Sequence, residues 1–123
     1  MPLDIMFLIS DITFVEASPK KVGLYVTAYG RVPFMEWLES LRDIKARAQI
    51  KKGLRRAEMG NLGEYNSVGQ GVYEMKIHFG PGYRVYFGLE GPHFVLLLCG
   101  GDKSTQPKDI KLAQEYWADW RKS

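Results

Sequence analysis

Cysteine is almost absent from this 123-residue chain, and histidine is nearly so. The single Cys99 excludes an internal disulfide framework and a cysteine-based zinc site, and it suits a reducing compartment. Its place within the most apolar segment reads as a small buried thiol. The two histidines, His78 and His93, fall on different segments among scattered carboxylates. That offers no ligand spacing for zinc or a two-metal pair, so no metal or other cofactor is expected. No apolar run approaches the length that spans a bilayer, which argues against a membrane partner. Residues 1–17 lack a basic start and carry Asp4, Asp11 and Glu16, unlike a signal peptide. The expectation is a soluble, cytoplasmic protein.

What is there reads as one globular domain. Hydrophobic residues make up 46% and charged ones 25%, enough to bury an ordinary core. A net charge of +3 leaves room for an anionic partner without demanding one. The centre of the chain carries the strongest pattern. Residues 72–79 and 83–89 alternate apolar and polar side chains on either side of Gly80-Pro81-Gly82, and residues 94–99 form an unbroken apolar run. Alternation marks strands with one buried face, and the unbroken run marks a strand covered on both. Tyr73, Met75, Ile77 and Phe79 share one face with Tyr83, Val85, Phe87 and Leu89. The other face holds Glu74, Lys76 and His78, then Arg84 and Tyr86. A three-residue turn sets His78 across from Arg84 and Lys76 across from Tyr86. A base, two fixed cations and an aromatic on one open face suit a phosphate backbone.

Upstream, residues 1–20 are an added strand pair (5–9 with 12–15) or a leader that orders on a partner, and residues 21–28 alternate as a first strand. Pro33 suits a first helical turn, and Phe34, Trp37, Leu38 and Leu41 fall on one stripe. Asp43 caps a second helix over about 44–59, with Ala46, Ile50, Leu54 and Ala57 on its apolar side. Lys45, Lys52 and Arg56 lie opposite, flanked by Lys51 and Arg55. They are either a solvated face or a rail facing RNA or a partner. Gly60-Asn61-Leu62-Gly63 ends this helix, and residues 64–70 are a polar approach to the central strands. After Cys99, Gly100-Gly101-Asp102-Lys103-Ser104-Thr105 reads as a tight loop into a last helix with Pro107 in its first turn. Ile110, Ala113, Trp117 and Trp120 form that helix's buried stripe. The loop lacks the GxxxxGK[ST] spacing of a nucleotide-binding loop. The order is β, α, α, β, β, β, α: an α+β fold with about four strands.

Several segments, in this order and spacing, resemble the RelE/ParE toxin superfamily, and most closely its HigB-like, phage-related "addiction module killer" branch. They are Phe34-Met35-Glu36-Trp37-Leu38, Gly60-Asn61-Leu62-Gly63, Tyr73-Glu74-Met75-Lys76-Ile77, Gly80-Pro81-Gly82-Tyr83-Arg84-Val85-Tyr86, and Gly100-Gly101-Asp102-Lys103-Ser104-Thr105-Gln106 with Asp109-Ile110. Members usually start near the first strand, so residues 1–20 are a departure: a genuine extension or the product of an upstream start codon. Residues 21–123 would be the toxin domain. The resemblance implies two N-terminal helices packed on one face of a twisted, mainly antiparallel sheet, with a C-terminal helix. It implies a type II toxin held by a small cognate antitoxin from an adjacent gene, expected to be a helix-turn-helix protein through which alone operator DNA would be met. Many relatives cut messenger RNA on the ribosome. The ParE branch instead poisons DNA gyrase, and an inactive phage-derived remnant that only binds antitoxin is a further alternative.

Metal-free RNA cleavage needs a base for the ribose 2′-hydroxyl, cations for the crowded phosphate, and an acid for the leaving 5′-oxygen. His78, Arg84 and Lys76 are the candidate catalytic residues. The resemblance puts Arg84 at the superfamily's phosphate-holding arginine, Lys76 and His78 on the strand of basic catalytic residues, and Lys103 in a loop with another functional cation. Tyr83 and Tyr86 are candidate base-stacking platforms, with Lys103 on the RNA. Against these stand ordinary roles: Arg84 paired with Glu74 or Asp102, Lys76 a solubility residue, Lys103 bonded within its loop, and His93 structural.

Overall fold

The computed structural model describes residues 18–122. The strand pair expected within residues 1–17 lies outside them. The chain runs β1 (Lys21–Leu24), α1 (Pro33–Ser40), α2 (Ile44–Glu58), β2 (Tyr65–Gly69), β3 (Val72–Ile77), β4 (Tyr83–Glu90), β5 (Phe94–Asp102), a 3-10 turn (Lys103–Thr105) and α3 (Gln106–Lys122). Local chemistry sets the helix starts. Pro33 occupies the first turn of α1, and Asp43 accepts from the backbone N–H groups of Lys45 at 2.9 Å and Ala46 at 3.2 Å to cap α2.

The strands form one five-stranded sheet in the order β1-β5-β4-β3-β2. β1 runs parallel to β5 and the other neighbours are antiparallel, so the fold is α+β with a mixed sheet. The strand beyond the expected four is β2, in the stretch that reads as a polar approach. An edge strand needs no apolar alternation, and only Val68 of β2 is half-buried. The positive φ angles of Gln70 (58°) and Gly71 (82°) make the two-residue turn that joins β2 to β3. The first strand is shorter than its sequence pattern, ending at Leu24 before the turn at Thr27–Arg31.

The β3–β4 pairing departs from the expected register. Lys76 lies opposite Arg84, Glu74 opposite Tyr86 and Ile77 opposite Tyr83. The turn therefore takes residues 78–82 rather than three glycine- and proline-rich ones. Phe79 folds into it, donating its N–H to Ile77 O at 2.9 Å and accepting from Gly82 N at 3.1 Å. The two faces nevertheless divide as the alternation predicts.

β5 is buried on both faces, as its apolar run predicts. On one face α1 and α2 cover Met75, Val85, Phe87 and Leu97 with Phe34, Leu38 and Ile50. On the other, α3 covers Val72, Tyr86, Leu96 and Leu98 with Ala113 and Trp117. Gly100 and Gly101 do not form a loop but extend β5, where a Cβ on Gly100 would enter the Trp37 ring and one on Gly101 would meet Asp109 and Thr105. Gly88 likewise lies directly beneath the Trp117 indole.

Gly88→Ala should therefore lower stability by about 1–3 kcal/mol, the usual result of overpacking, in denaturant unfolding. Tyr25 supplies a pH test. It stacks on Tyr116 and donates to Asp119 at 2.5 Å. Burial, reinforced by Asp119, pushes its phenol up from 10.0 to about 12. A raised value in the folded state means that this contribution is complete below pH about 10 and lost as pH climbs through about 12. The stability gap between wild type and Tyr25→Phe should close over that interval.

Candidate functional site

The hairpin places two of the expected cations side by side, Lys76 on β3 and Arg84 on β4, as direct cross-strand neighbours. Arg84 is firmly held. Its Nη1 donates to Gly82 O at 2.9 Å, and its Nε lies 3.5 Å from Glu74 Oε2. The Glu74 side chain is 1% exposed and that of Arg84 11%. Glu74 also accepts from Tyr86 Oη at 3.0 Å and Gln106 Nε2 at 2.8 Å. A carboxylate this deeply buried is tolerable only with such partners. The structural alternative for Arg84, pairing with Glu74, is thus realised, and the guanidinium is left as a rigid cation at the margin of the network.

Both tyrosines are removed from the list of stacking platforms. Tyr86 faces the expected side of the sheet, but α3 covers it completely and Glu74 takes its hydroxyl. Burial first, and then the Glu74 charge, raise its phenol above the ordinary value. Tyr83 lies in the core under α1, edge-on to Trp37 at 6.2 Å. Neither ring can present a face to a base.

His78 sits just past β3 with its side chain 71% exposed. It is not opposite Arg84. Its Nε2 meets Glu64 Oε1 at 3.0 Å, and the other Glu64 oxygen lies 3.5 Å from Lys76 Nζ. The hydrogen bond from His78, with a smaller contribution from Lys76, holds the Glu64 carboxyl below its usual value. Sequence reading missed Glu64, whose signal lay in the hidden strand. Continuing the β2–β3 register one step past Tyr65 and Met75 brings it beside Lys76, whose N–H donates to Glu64 O at 2.9 Å. A carboxylate on Nε2 leaves Nδ1 as the free position of the imidazole, the arrangement that orients a histidine for proton transfer.

Lys103 opens the 3-10 turn and is exposed. Its Cβ and Arg84 Nη1 both lie near Gly82, at 4.0 and 3.5 Å from the point where a Cβ on that glycine would stand. The turn is fixed by Asp102, which accepts from Ser104 N at 2.8 Å and caps the segment. Lys76, Arg84 and Lys103 thus gather around the β3–β4 turn, with His78 drawn to its outer side by Glu64. His93 contributes its backbone carbonyl, which accepts from Lys21 N at 2.6 Å. Cys99 is buried and its thiol is pushed up to about 12 by burial, which removes it as a nucleophile.

A protein of Haemophilus influenzae, described as an uncharacterized protein, is 47% identical to this chain over 81 residues, 66% of this chain and 82% of that protein. The chain belongs to that protein's family. No protein-family model matches the chain. Among the described residues, no group of three His, Cys, Asp or Glu side chains is placed to hold a metal ion. Among them, no helix is long and apolar enough to cross a membrane.

The buried network makes a testable claim about Arg84. Glu74→Ala would leave its guanidinium uncompensated, together with the Tyr86 hydroxyl and the Gln106 amide. Stability should fall by about 3–5 kcal/mol in denaturant unfolding, the cost of breaking a buried pair rather than a solvated one.

Proposed function

We propose that the protein is the toxin of a type II toxin–antitoxin system of RelE/ParE kind, HigB-like, acting as a metal-independent endoribonuclease on ribosome-bound messenger RNA. The observation that carries this reading is the cluster at the β3–β4 turn: Lys76 beside Arg84, with His78 oriented by Glu64 at its rim. Its parts match the demands of the reaction. The ribose 2′-hydroxyl gives its proton to imidazole Nδ1 and attacks phosphorus, and the bond to the 5′-oxygen breaks as that oxygen takes a proton from the Lys76 ammonium. Arg84, Lys76 and Lys103 stabilise the added negative charge. The two-helix face and the resemblance in its motifs support the same family. The cognate antitoxin, a small protein from an adjacent gene, would neutralise the toxin by covering α1 and α2 or an open sheet edge.

One observation favours a second reading. Arg84 is already neutralised by Glu74, and neither tyrosine can stack a base. A ParE-like protein that only binds gyrase would need none of them free.

Induced expression separates the two. Endoribonuclease action predicts immediate loss of protein synthesis with cut messenger RNA, whereas gyrase poisoning predicts stalled replication and a DNA-damage response. His78→Ala is the cleaner substitution because the side chain is exposed and its loss should not unfold the protein. RNA cleavage should fall about a hundredfold, the loss expected when a proton-transferring side chain is removed. Full toxicity of folded His78→Ala would remove the ribonuclease reading. Lys45→Ala, on the outer side of α2, should leave toxicity unchanged.

A further inference from the structure

The outward cations of α2 are not all solvated. Gly53 lets the helix sit close on β3, since a Cβ there would stand 2.8 Å from Ile77 Cδ1. That approach creates a cleft of about 270 Å³ between α2 and the end of β3, lined by Gln49, Lys52, Arg56, Glu64, Lys76 and His78. Arg56 is the telling residue. The loop after α2 folds back, with Asn61 N donating to Arg56 O at 3.0 Å and Gly63 N to Asn61 Oδ1 at 2.9 Å. This puts Gly63, at φ +66°, so close to the Arg56 guanidinium that a Cβ would collide with it. The Arg56 Nε is shut off from solvent and has no hydrogen-bond partner. Among the described residues neither Arg56 nor Lys52 forms an ion pair. The cleft's one carboxylate, Glu64, has both oxygens turned to His78 and Lys76. Three fixed cations therefore face one committed anion, and the positive excess lies on the α2 side.

We infer that this cleft is a phosphate subsite for single-stranded RNA, in which Lys52 and Arg56, assisted by Gln49, receive the phosphate next to the one at His78. The inference rests on the endoribonuclease reading above, because His78 and Lys76 belong both to the cleft and to the candidate site of cleavage. The cleft is smaller than the roughly 300–1,000 Å³ pockets that enclose drug-sized ligands. It suits a phosphate with part of its sugar better than a whole cofactor. Guanidinium and ammonium groups are the usual partners of such a phosphate. The polynucleotide would then cross from Lys103 and Arg84, past His78, onto α2.

The test uses a fluorescent RNA oligonucleotide with 2′-O-methyl groups throughout, which keeps every phosphate but cannot be cut. Anisotropy is recorded from low to moderate salt. Lys52→Gln and Arg56→Gln should each weaken binding and reduce the slope of log affinity against log salt by roughly 0.7, the single-strand value for one phosphate contact. Lys52 is exposed and should fold normally when replaced. Thermal melts of both variants check that a change at Arg56 is not unfolding. Lys45→Gln should leave the slope unchanged. Wild-type binding with unaltered slopes in both variants overturns the subsite while leaving the endoribonuclease reading intact. Reduced slopes in a protein that leaves cellular messenger RNA uncut support the subsite and remove that reading. Loss of antitoxin binding with the oligonucleotide slope unmoved overturns the subsite in favour of a protein-docking surface, and a wild type that binds no oligonucleotide overturns it outright.

Discussion

A negative charge buried at Glu74 must be matched from three directions, and much of the molecule is arranged around that need. Arg84 and Tyr86 come from the neighbouring strand, and Gln106 from the first residue of α3. Meeting all three fixes the register of β3 on β4 and the approach of α3 to the sheet together. A two-residue slip would carry Glu74 away from Tyr86 and leave a charge without partners in a low-dielectric interior. The placement of Lys76 against Arg84 follows from the same register.

Glycine then sets how closely the layers meet. Trp37 lies on Gly100 from one side of the sheet and Trp117 on Gly88 from the other, so each indole reaches the strand backbone. Gly53 does the converse, presenting a smooth helix surface to Ile77. Close seating brings cations on separate elements, Arg56 and Lys76, to one cleft. Their meeting is a by-product of packing distance.

Most of the architecture was legible because it is written in local periodicity. α1, α2 and α3 follow from their apolar stripes with Pro33, Asp43 and Pro107 at the starts, and β5 from its unbroken apolar run. The rest depends on contacts that periodicity cannot carry. β2 was hidden because an edge strand need bury almost nothing, and with it went Glu64. The β3–β4 register shifted because Phe79 turned into the loop. Tyr86 was placed on the correct face, yet its fate hung on α3, which begins twenty positions later. Arg56 reads as a solvated helix residue until the loop after α2 folds back over it. Of the candidate site, the residue types and the shared face of Lys76 and Arg84 could be read, but the pairings could not.

The two outer strands bear on where a partner can take hold. A sheet with free edges can recruit another strand, and the hazard grows with the length and flatness of the edge. β1 is only four residues long and begins at Lys21. β2 is polar, and its pairing with β3 is interrupted between Ser67 and Gly69. Among the described residues neither rim offers a long, regular, apolar template. An antitoxin strand added at either described edge would therefore gain only a short or interrupted ladder, and α1 and α2 offer the longer grip.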